Sequence, residues 1–332
     1  MLKNIEIVNY KCFKDFKLNG LSQINIISGG NNVGKTALLE ALLIINNENI
    51  RSIIDIIKLI FLNRDLSIEN INNYLKKINL SFKKDNKIIT IQHKYIDELI
   101  NSNIKNFDNL KGVSEEFLLL TIDNKLFVFP LKEQEELSSR KIIDIKKEFN
   151  FIDSASPNNK LLVELYSEVQ TKNIQHNFLE YLKILDDNIV LLEPQFLYGE
   201  PLVRITLKNP ELSLISSELG EGTNRYIEIL ATLLSNSNGS VFIDEIENGI
   251  HYSKLKEICK AIIEIVEKED IQLFITTHDE ETIEAFAQAS EELNYKGISS
   301  IELYKDEDNT IQSIVRNSEQ FIATVDAGME VR

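Results

Sequence analysis

Residues 29–36 of the chain read Gly29-Gly30-Asn31-Asn32-Val33-Gly34-Lys35-Thr36. This stretch matches the phosphate-binding pattern G-x-x-x-x-G-K-[ST] at every fixed position. An apolar, strand-like run precedes it at residues 24–27, and a helix-like run follows it at residues 37–43. Glycines let successive backbone N–H groups turn inward around phosphate oxygens, and the positive end of the following helix points at them. The stretch therefore predicts a site for a nucleoside triphosphate.

The residues expected to bind the nucleotide belong to this loop and to the first turn of the helix. They are Gly29, Asn31, Asn32, Val33, Gly34, Lys35, Thr36 and Ala37. Lys35 is predicted to reach the β- and γ-phosphates, and the Thr36 hydroxyl is predicted to bind Mg²⁺. ATP and Mg²⁺ are thus the expected ligands.

The whole-chain properties favour a soluble globular protein. The 332 residues are enough for two or three domains, or for one domain with a large insertion, and 43% are apolar and 27% charged. There is no uncharged apolar run long enough to span a membrane, and the N-terminal residues, which lack an apolar core, do not predict a signal peptide. Cys12 and Cys259 are far apart and lack metal-type spacing, so we expect two small core residues and a cytoplasmic location.

A second nucleotide motif is predicted where the apolar run 240–243 ends in Asp244 and Glu245. Asp244 is expected to bind Mg²⁺ through water, and Glu245 to activate the attacking water. Neighbouring strand residues point to opposite sides, so we expect the chain to turn here, at residues 247–249. The run 272–276 likewise leads to His278, which is predicted to sense the γ-phosphate, because ligands bind at the carboxyl ends of such strands.

The middle of the chain, residues 46–187, contains hairpins and helices but no further motif. Two hairpins are predicted, over residues 78–93 and 117–129, with helical runs over 50–78, 132–150 and 157–186. Lysines concentrate around the first hairpin: Lys76, Lys77, Lys83, Lys84, Lys87 and Lys94. They are a nucleic-acid contact, a solvated face or the protection of an edge strand against aggregation. The net charge of −16 argues against broad, non-specific DNA binding.

Residues 214–225 form a polar, glycine-bearing turn that leads into a helix predicted over 226–234. Ser217 and Glu221 are expected to cap that helix, because a helix start leaves backbone donors without partners. Upstream, a strand at residues 189–192 leads into Gln195.

Four motifs follow one another along the chain: the loop at 29–36, a Ser-x-x-Gly-Glu-Gly signature at 217–222, the Asp244-Glu245 strand end and the Thr276-Thr277-His278 strand end. In this order they resemble the ABC-type ATPase fold and specifically its OLD/RecF-like branch. The resemblance implies an α/β P-loop NTPase head, residues 1–45 plus 188–332, with an α/β insertion at 46–187 between the loop and the signature.

The resemblance further implies a head that dimerises on ATP, each nucleotide lying between one subunit's loop and the other's signature. Ser217, Gly220 and Gly222 would then contact nucleotide. Gln195 falls where the family's lid glutamine, a nucleotide and metal contact, is expected. Stand-alone heads of this kind are similar to ATPase subunits of bacterial anti-phage systems, such as the PARIS type, that act with a separate effector.

The leading hypothesis is therefore a cytoplasmic ATPase switch that controls an effector such as a nuclease in anti-phage defence. The alternative is a DNA-repair ATPase, similar to RecF, that clamps DNA directly through the lysine-rich hairpin. A membrane transporter's ATPase component is disfavoured by the unusual signature and by the insertion.

Overall fold

The computed structural model describes residues 1–47, 52, 53, 55–57, 79–84, 87–95, 116–122, 125–130 and 150–328. Most of the helical run predicted over 50–78, and nearly all of that over 132–150, lie outside these residues. Lys76 and Lys77 lie outside them too.

The structure gives bounds for fifteen strands and seven α-helices, and residues 52, 53 and 55–57 are also helical. The strands are β1 Asn4–Tyr10, β2 Phe13–Asn19, β3 Ile24–Gly29, β4 Asn79–Lys84, β5 Lys87–Tyr95, β6 Glu116–Ile122, β7 Lys125–Pro130, β8 Phe151–Ile152, β9 Ile189–Leu197, β10 Glu200–Leu207, β11 Leu214–Ile215, β12 Ser240–Ile243, β13 Gln272–Thr276, β14 Ile298–Lys305 and β15 Ile311–Asn317. The helices are α1 Lys35–Ile45, α2 Asn159–Thr171, α3 Gln175–Leu182, α4 Glu221–Leu234, α5 Tyr252–Lys268, α6 Glu280–Glu292 and α7 Ser318–Asp326.

The central sheet has the strand order β15-β14-β3-β13-β12-β8. All its neighbouring pairs are parallel except β14 with β15. Because β3, β13 and β12 are adjacent and parallel, their carboxyl ends share one edge of the sheet. The phosphate-binding loop, Asp244 and the segment leading to His278 follow directly from these ends, so the sheet order brings the predicted motifs together.

The central sheet has a separate apolar core on each face, since successive strand residues point to opposite sides. Ile26, Ile243 and Ile275 pack among residues of α2 to α6. Phe242 and Phe274 point to the other face, where their rings stack 5.3 Å apart in a core shared with α1. The phosphate-binding helix α1 packs between this face and the antiparallel sheet that contains β1 and β2. Nine of its eleven residues are buried.

The second sheet is antiparallel, with the order β2-β1-β4-β5-β6-β7. Both predicted hairpins lie in it, and β4 pairs with β1, so that Ile7 faces Phe82. A short strand from the same middle region, β8, pairs with β12 of the central sheet. Elements between residues 46 and 187 therefore extend both sheets, and the division into head and insertion stays a prediction.

A third sheet, ordered β11-β10-β9, lies beside α2. β9 runs past the predicted end at residue 192 and through Pro194, which is tolerated because β9 is an edge strand. The mixed α/β architecture confirms the predicted fold class. One expectation was wrong: Cys259 is buried, but Cys12 is exposed in the turn between β1 and β2. Across the described residues, the structure contains no helix of a length and apolarity that would span a membrane.

Candidate nucleotide-binding site

The loop between β3 and α1 requires glycine at two positions. Gly29 has φ 135° and Gly34 has φ 97°, both in the left-handed region that glycine adopts without strain. A Cβ at residue 29 would also overlap the carbonyl oxygen of Leu303, and one at residue 34 would lie 2.5 Å from Cys12 Sγ. These close approaches explain the two fixed glycines of the motif.

Lys35 begins α1 and folds back over the loop. Its ammonium donates to the carbonyl oxygens of Gly29, at 2.8 Å, and Gly30, at 3.0 Å. Burial lowers the pKa of Lys35, and the carboxylates of Glu245, Glu247 and Asp244 oppose this decrease. The Val33 and Ala37 side chains are buried, whereas those of Asn31 and Asn32 are exposed. The first-turn amides of α1 lack intrahelical acceptors, as in other helix-start anion sites.

Thr36 and Asp244 meet although they are 208 residues apart in the chain. The Thr36 hydroxyl lies 3.2 Å from each carboxylate oxygen of Asp244. Burial raises the pKa of Asp244, although hydrogen bonds from Thr276 and Thr36 oppose this. One hydroxyl and one carboxylate are oxygen donors of the kind that Mg²⁺ binds, its other positions being filled by water and phosphate. Within the described residues no group of three His, Cys, Asp or Glu side chains forms a metal cluster.

Glu245 follows Asp244 but is directed elsewhere because the chain turns at Glu245 itself. Its φ of 48° is left-handed, so the turn begins two residues earlier than the predicted turn at 247–249. The Thr276 hydroxyl donates to Asp244 Oδ1 at 2.6 Å and accepts from the Glu245 backbone N–H at 2.8 Å. The Asn248 side chain donates to the Glu245 carboxylate at 3.0 Å. Thr276 and Asn248 thus hold the two acids in different orientations.

His278 lies beyond the end of β13 and contacts Glu247. Both its backbone N–H and its ring Nδ1 are 2.9 Å from Oε1 of Glu247. The charges of Glu245, Glu247 and Asp244 raise the pKa of Lys35 against the effect of burial. Glu247 therefore connects the segment that carries His278 with the phosphate-binding loop.

The signature turn, residues 217–222, lies at the surface where α4 begins. Ser217 and Gly220 are exposed, whereas the preceding Ser216 is buried and donates to Asn159. The capping prediction was wrong: Gly220 is the N-cap, and neither Ser217 nor Glu221 caps the helix with its side chain.

Gly222 packs against the turn that follows the two acids. A Cβ at Gly222 would overlap the Gly249 carbonyl oxygen, and the φ of 76° at Gly249 also favours glycine. The signature turn is therefore in direct contact with the segment that carries Glu247.

Gln195 lies in a different sheet from the strands that carry this cluster. It lies in β9, opposite Leu202, in the three-stranded sheet. No hydrogen bond within the described part of the chain joins Gln195 to Thr36 or Asp244. Its predicted roles as lid glutamine and metal contact therefore stay predictions without support from these contacts.

Sequence reasoning assigned no role at the site to Thr276, Glu247 or Arg225. Arg225 in α4 is buried, and its guanidinium donates to the carbonyl oxygens of Asp244, at 2.8 Å, and Asp153, at 2.5 Å. A hydroxyl at the end of β13 was the only sequence signal for Thr276. Arg225 was detectable only as an arginine at an apolar position of its helix.

The lysine-rich hairpin has an acidic partner on a neighbouring strand. Lys83 forms an ion pair with Glu6 of β1, with 3.0 Å between Nζ and Oε1. The side chains of Lys84 and Lys87 are outside the described residues. The sheet-edge interpretation was wrong, because β4 and β5 lie inside the sheet, between β1 and β6. The partly exposed pair of Lys83 and Glu6 agrees instead with a solvated face and gives no support to a DNA contact.

Comparison with known proteins places this geometry in a wider context. A family model described as "AAA domain, putative AbiEii toxin, Type IV TA system" matches residues 24–284. A Helicobacter pylori protein named ATP/GTP phosphatase is 23% identical over 353 aligned positions, covering 94% of each chain.

Two solved structures share the fold. A crystal structure of an SmcHead bound to the C-winged helix domain of ScpA has a TM-score of 0.51 at 13% identity, covering 96% of this chain and 98% of that one. An Smc head domain with an extended coiled coil, bound to the C-terminal domain of ScpA and derived from Pyrococcus furiosus, has a TM-score of 0.51 at 10% identity, covering 98% of each chain. At these identities the likeness shows the fold alone.

Proposed function

The chain belongs to the AbiEii-type family of AAA domains, and from this premise we propose that it is an ATP-hydrolysing switch. In this proposal two heads dimerise on ATP and control a separate effector protein. The reaction is the hydrolysis of ATP to ADP and phosphate. The similarity to a protein named ATP/GTP phosphatase supports nucleotide hydrolysis in general terms.

The observation that carries the proposal is the meeting of Thr36 with Asp244 at the edge of the sheet where Lys35 and Glu245 also lie. Lys35 binds the β- and γ-phosphates and compensates their charge. Mg²⁺, when bound by Thr36 and Asp244, supplies electrostatic stabilisation of the phosphate charge. Glu245 accepts a proton from the water that attacks the γ-phosphorus.

The exposed signature turn supports dimerisation as the second part of the proposal. Ser217 and Gly220 are accessible to a second copy, and Gly222 connects their turn to Gly249. A nucleotide between the loop of one copy and the signature turn of the other would bridge two heads. Hydrolysis would remove the γ-phosphate and release them.

The effector role rests on resemblance and on the family description. We place the chain in the OLD/RecF-like branch, similar to ATPase subunits of anti-phage systems such as the PARIS type. The family description refers to a toxin–antitoxin system, which supports a role in bacterial defence. A cytoplasmic location and a nuclease or toxin as the effector complete the proposal.

The substitution Glu245→Gln tests the proposed reaction. It is expected to lower kcat by about 10²–10⁴-fold, the usual effect of losing a general base, and to preserve ATP binding. Because hydrolysis is then too slow to release the heads, ATP should convert this variant into a lasting dimer. ATPase assays and light scattering after gel filtration measure the two effects.

Lys35→Ala is the matched control, because it weakens nucleotide binding and should remain monomeric with ATP. Normal turnover by the Glu245→Gln variant would show that another group is the base. A monomer at saturating ATP would contradict the bridging role of the nucleotide.

A further inference from the structure

We propose that Glu247 is a positioning residue that holds His278 in place for ATP hydrolysis. This inference rests on the proposed function, since His278 has a task only if the site hydrolyses a nucleotide. It adds to the site a residue that lies in a turn and belongs to neither the phosphate-binding loop nor the Asp244-Glu245 pair.

The contact between the two residues restrains both the backbone and the ring of His278. Oε1 of Glu247 accepts from the His278 backbone N–H and lies equally close, at 2.9 Å, to ring Nδ1. A hydrogen bond from the backbone and a close contact of the ring with the same oxygen restrain the peptide and the side-chain torsions together. With Nδ1 against Glu247, the ring presents Nε2 on its opposite edge.

The burial of the two side chains shows which of them provides the anchor. The Glu247 side chain is 10% exposed, whereas that of His278 is 53% exposed. A half-exposed side chain at a strand end is free to change rotamer unless a buried group binds it. Glu247 is the more rigid partner. The turn that contains it is held by the contact between Gly249 and Gly222.

The second oxygen of Glu247 indicates a role other than stability. Oε2 is buried and has no hydrogen-bond partner among the residues that the structure describes. A buried acceptor without a partner costs free energy, and such groups in native proteins call for an explanation. The Glu247 charge also acts on Lys35 in the phosphate-binding loop. A carboxylate kept at this cost in contact with His278 fits a functional role.

The test is a double-mutant cycle with purified full-length protein. Glu247→Ala should lower kcat about 10- to 100-fold, the effect of a small displacement of a catalytic group, with KM for ATP nearly unchanged. In a His278→Ala background, Glu247→Ala should cause no further loss, because the ring that it positions is absent. Glu247→Gln should recover most of the kcat, because its amide oxygen can still accept the backbone hydrogen bond and contact the ring.

Thermal melting and the Kd for ATP, measured on every variant, identify a change that merely unfolds the chain. Equal kcat for the unaltered chain and Glu247→Ala would overturn the inference. Losses that multiply in the double variant would also overturn it. A Glu247→Gln variant as slow as Glu247→Ala would do the same, because the Glu247 charge itself would then be the active group. Absence of hydrolysis by the unaltered chain overturns the proposed function and this inference together, whereas hydrolysis with multiplying losses overturns this inference alone.

Discussion

The peptide between Asp244 and Glu245 is held from both sides by side chains of other elements. The Arg225 guanidinium donates to the carbonyl oxygen of Asp244, and the Thr276 hydroxyl accepts from the N–H of Glu245. Glu245 has a left-handed backbone, which is costly for a residue with a Cβ and persists only where the surroundings determine it. Two hydrogen bonds thus keep the predicted base in a conformation that it would not adopt alone.

The substitution Asp244→Asn is expected to increase the free energy of unfolding of the metal-free chain near neutral pH. Burial raises the pKa of Asp244 above its ordinary 3.8, because removal from water disfavours the charged form. The folded chain keeps a proton that the unfolded chain loses as pH rises above that value, so the free energy of unfolding decreases with rising pH there. Asparagine carries no charge to desolvate.

Thermal melting in EDTA measures this effect. At about pH 7 the variant should have the higher Tm, and the difference should shrink as the pH is lowered below the ordinary pKa of 3.8, where the unfolded aspartate is also protonated. A variant less stable than the unaltered chain at pH 7 would show that the hydrogen bonds of Asp244 outweigh its desolvation.

Among the elements, the decisive contact is that between the start of α4 and the turn after β12. Gly222 and Gly249 approach so closely that neither position has room for a side chain. The contact joins the signature turn to the turn that carries Glu247. A displacement of one turn is therefore transmitted to the other by direct contact, because packed backbones do not deform continuously.

Gly222→Ala should destabilise the chain by about 1–3 kcal/mol, the usual cost of overpacking, and should also lower ATPase activity. Gly220→Ala is the matched control, since a Cβ there meets no atom within 4 Å and the residue has φ −62°. Urea denaturation measures the free energy of unfolding of both variants. Equal stability of the two variants would show that the turns separate easily.

In the whole molecule, the proposed dimer places each nucleotide between residues of two copies. Lys35→Ala removes the loop function from one copy, and Ser217→Arg blocks the exposed signature turn of the other. Each variant alone is expected to be inactive. An equal mixture should recover ATPase activity, up to about half that of the unaltered chain, because each mixed dimer has one intact site of two.

The same mixture separates a shared site from a self-contained one. Activity no greater than the sum of the two variants measured alone would show that each copy works with its own signature turn, or that the turn is not used. Mixing Lys35→Ala with the Glu245→Gln chain is the control, since every site in that mixture lacks either Lys35 or the base.

Much of the fold and part of the site were predictable from local sequence. The apolar runs before Gly29, Asp244 and His278 predicted three strands, and the helix-like run after the loop predicted the helix. Because the strands are parallel, their ends had to share an edge of the sheet. The contact between Thr36 and Asp244 agrees with that expectation.

Other features depended on contacts that local sequence does not encode. The exposure of Cys12 follows from its place in a turn against Gly34, and the true cap of α4 is a glycine because the chain there is directed by packing on Gly249. Neither residue type nor spacing distinguishes these outcomes from the predicted ones.

By itself, the sequence determined which residues follow each strand and which loop can surround a phosphate, because these properties depend on neighbours along the chain. Only the tertiary structure decided that Thr276 would orient two acids, that Arg225 would bind the Asp244 carbonyl and that Glu247 would bind His278. These partners come from different strands, helices and turns. They meet because the order β3-β13-β12 and the packing of α4 bury the apolar faces of the whole molecule at once.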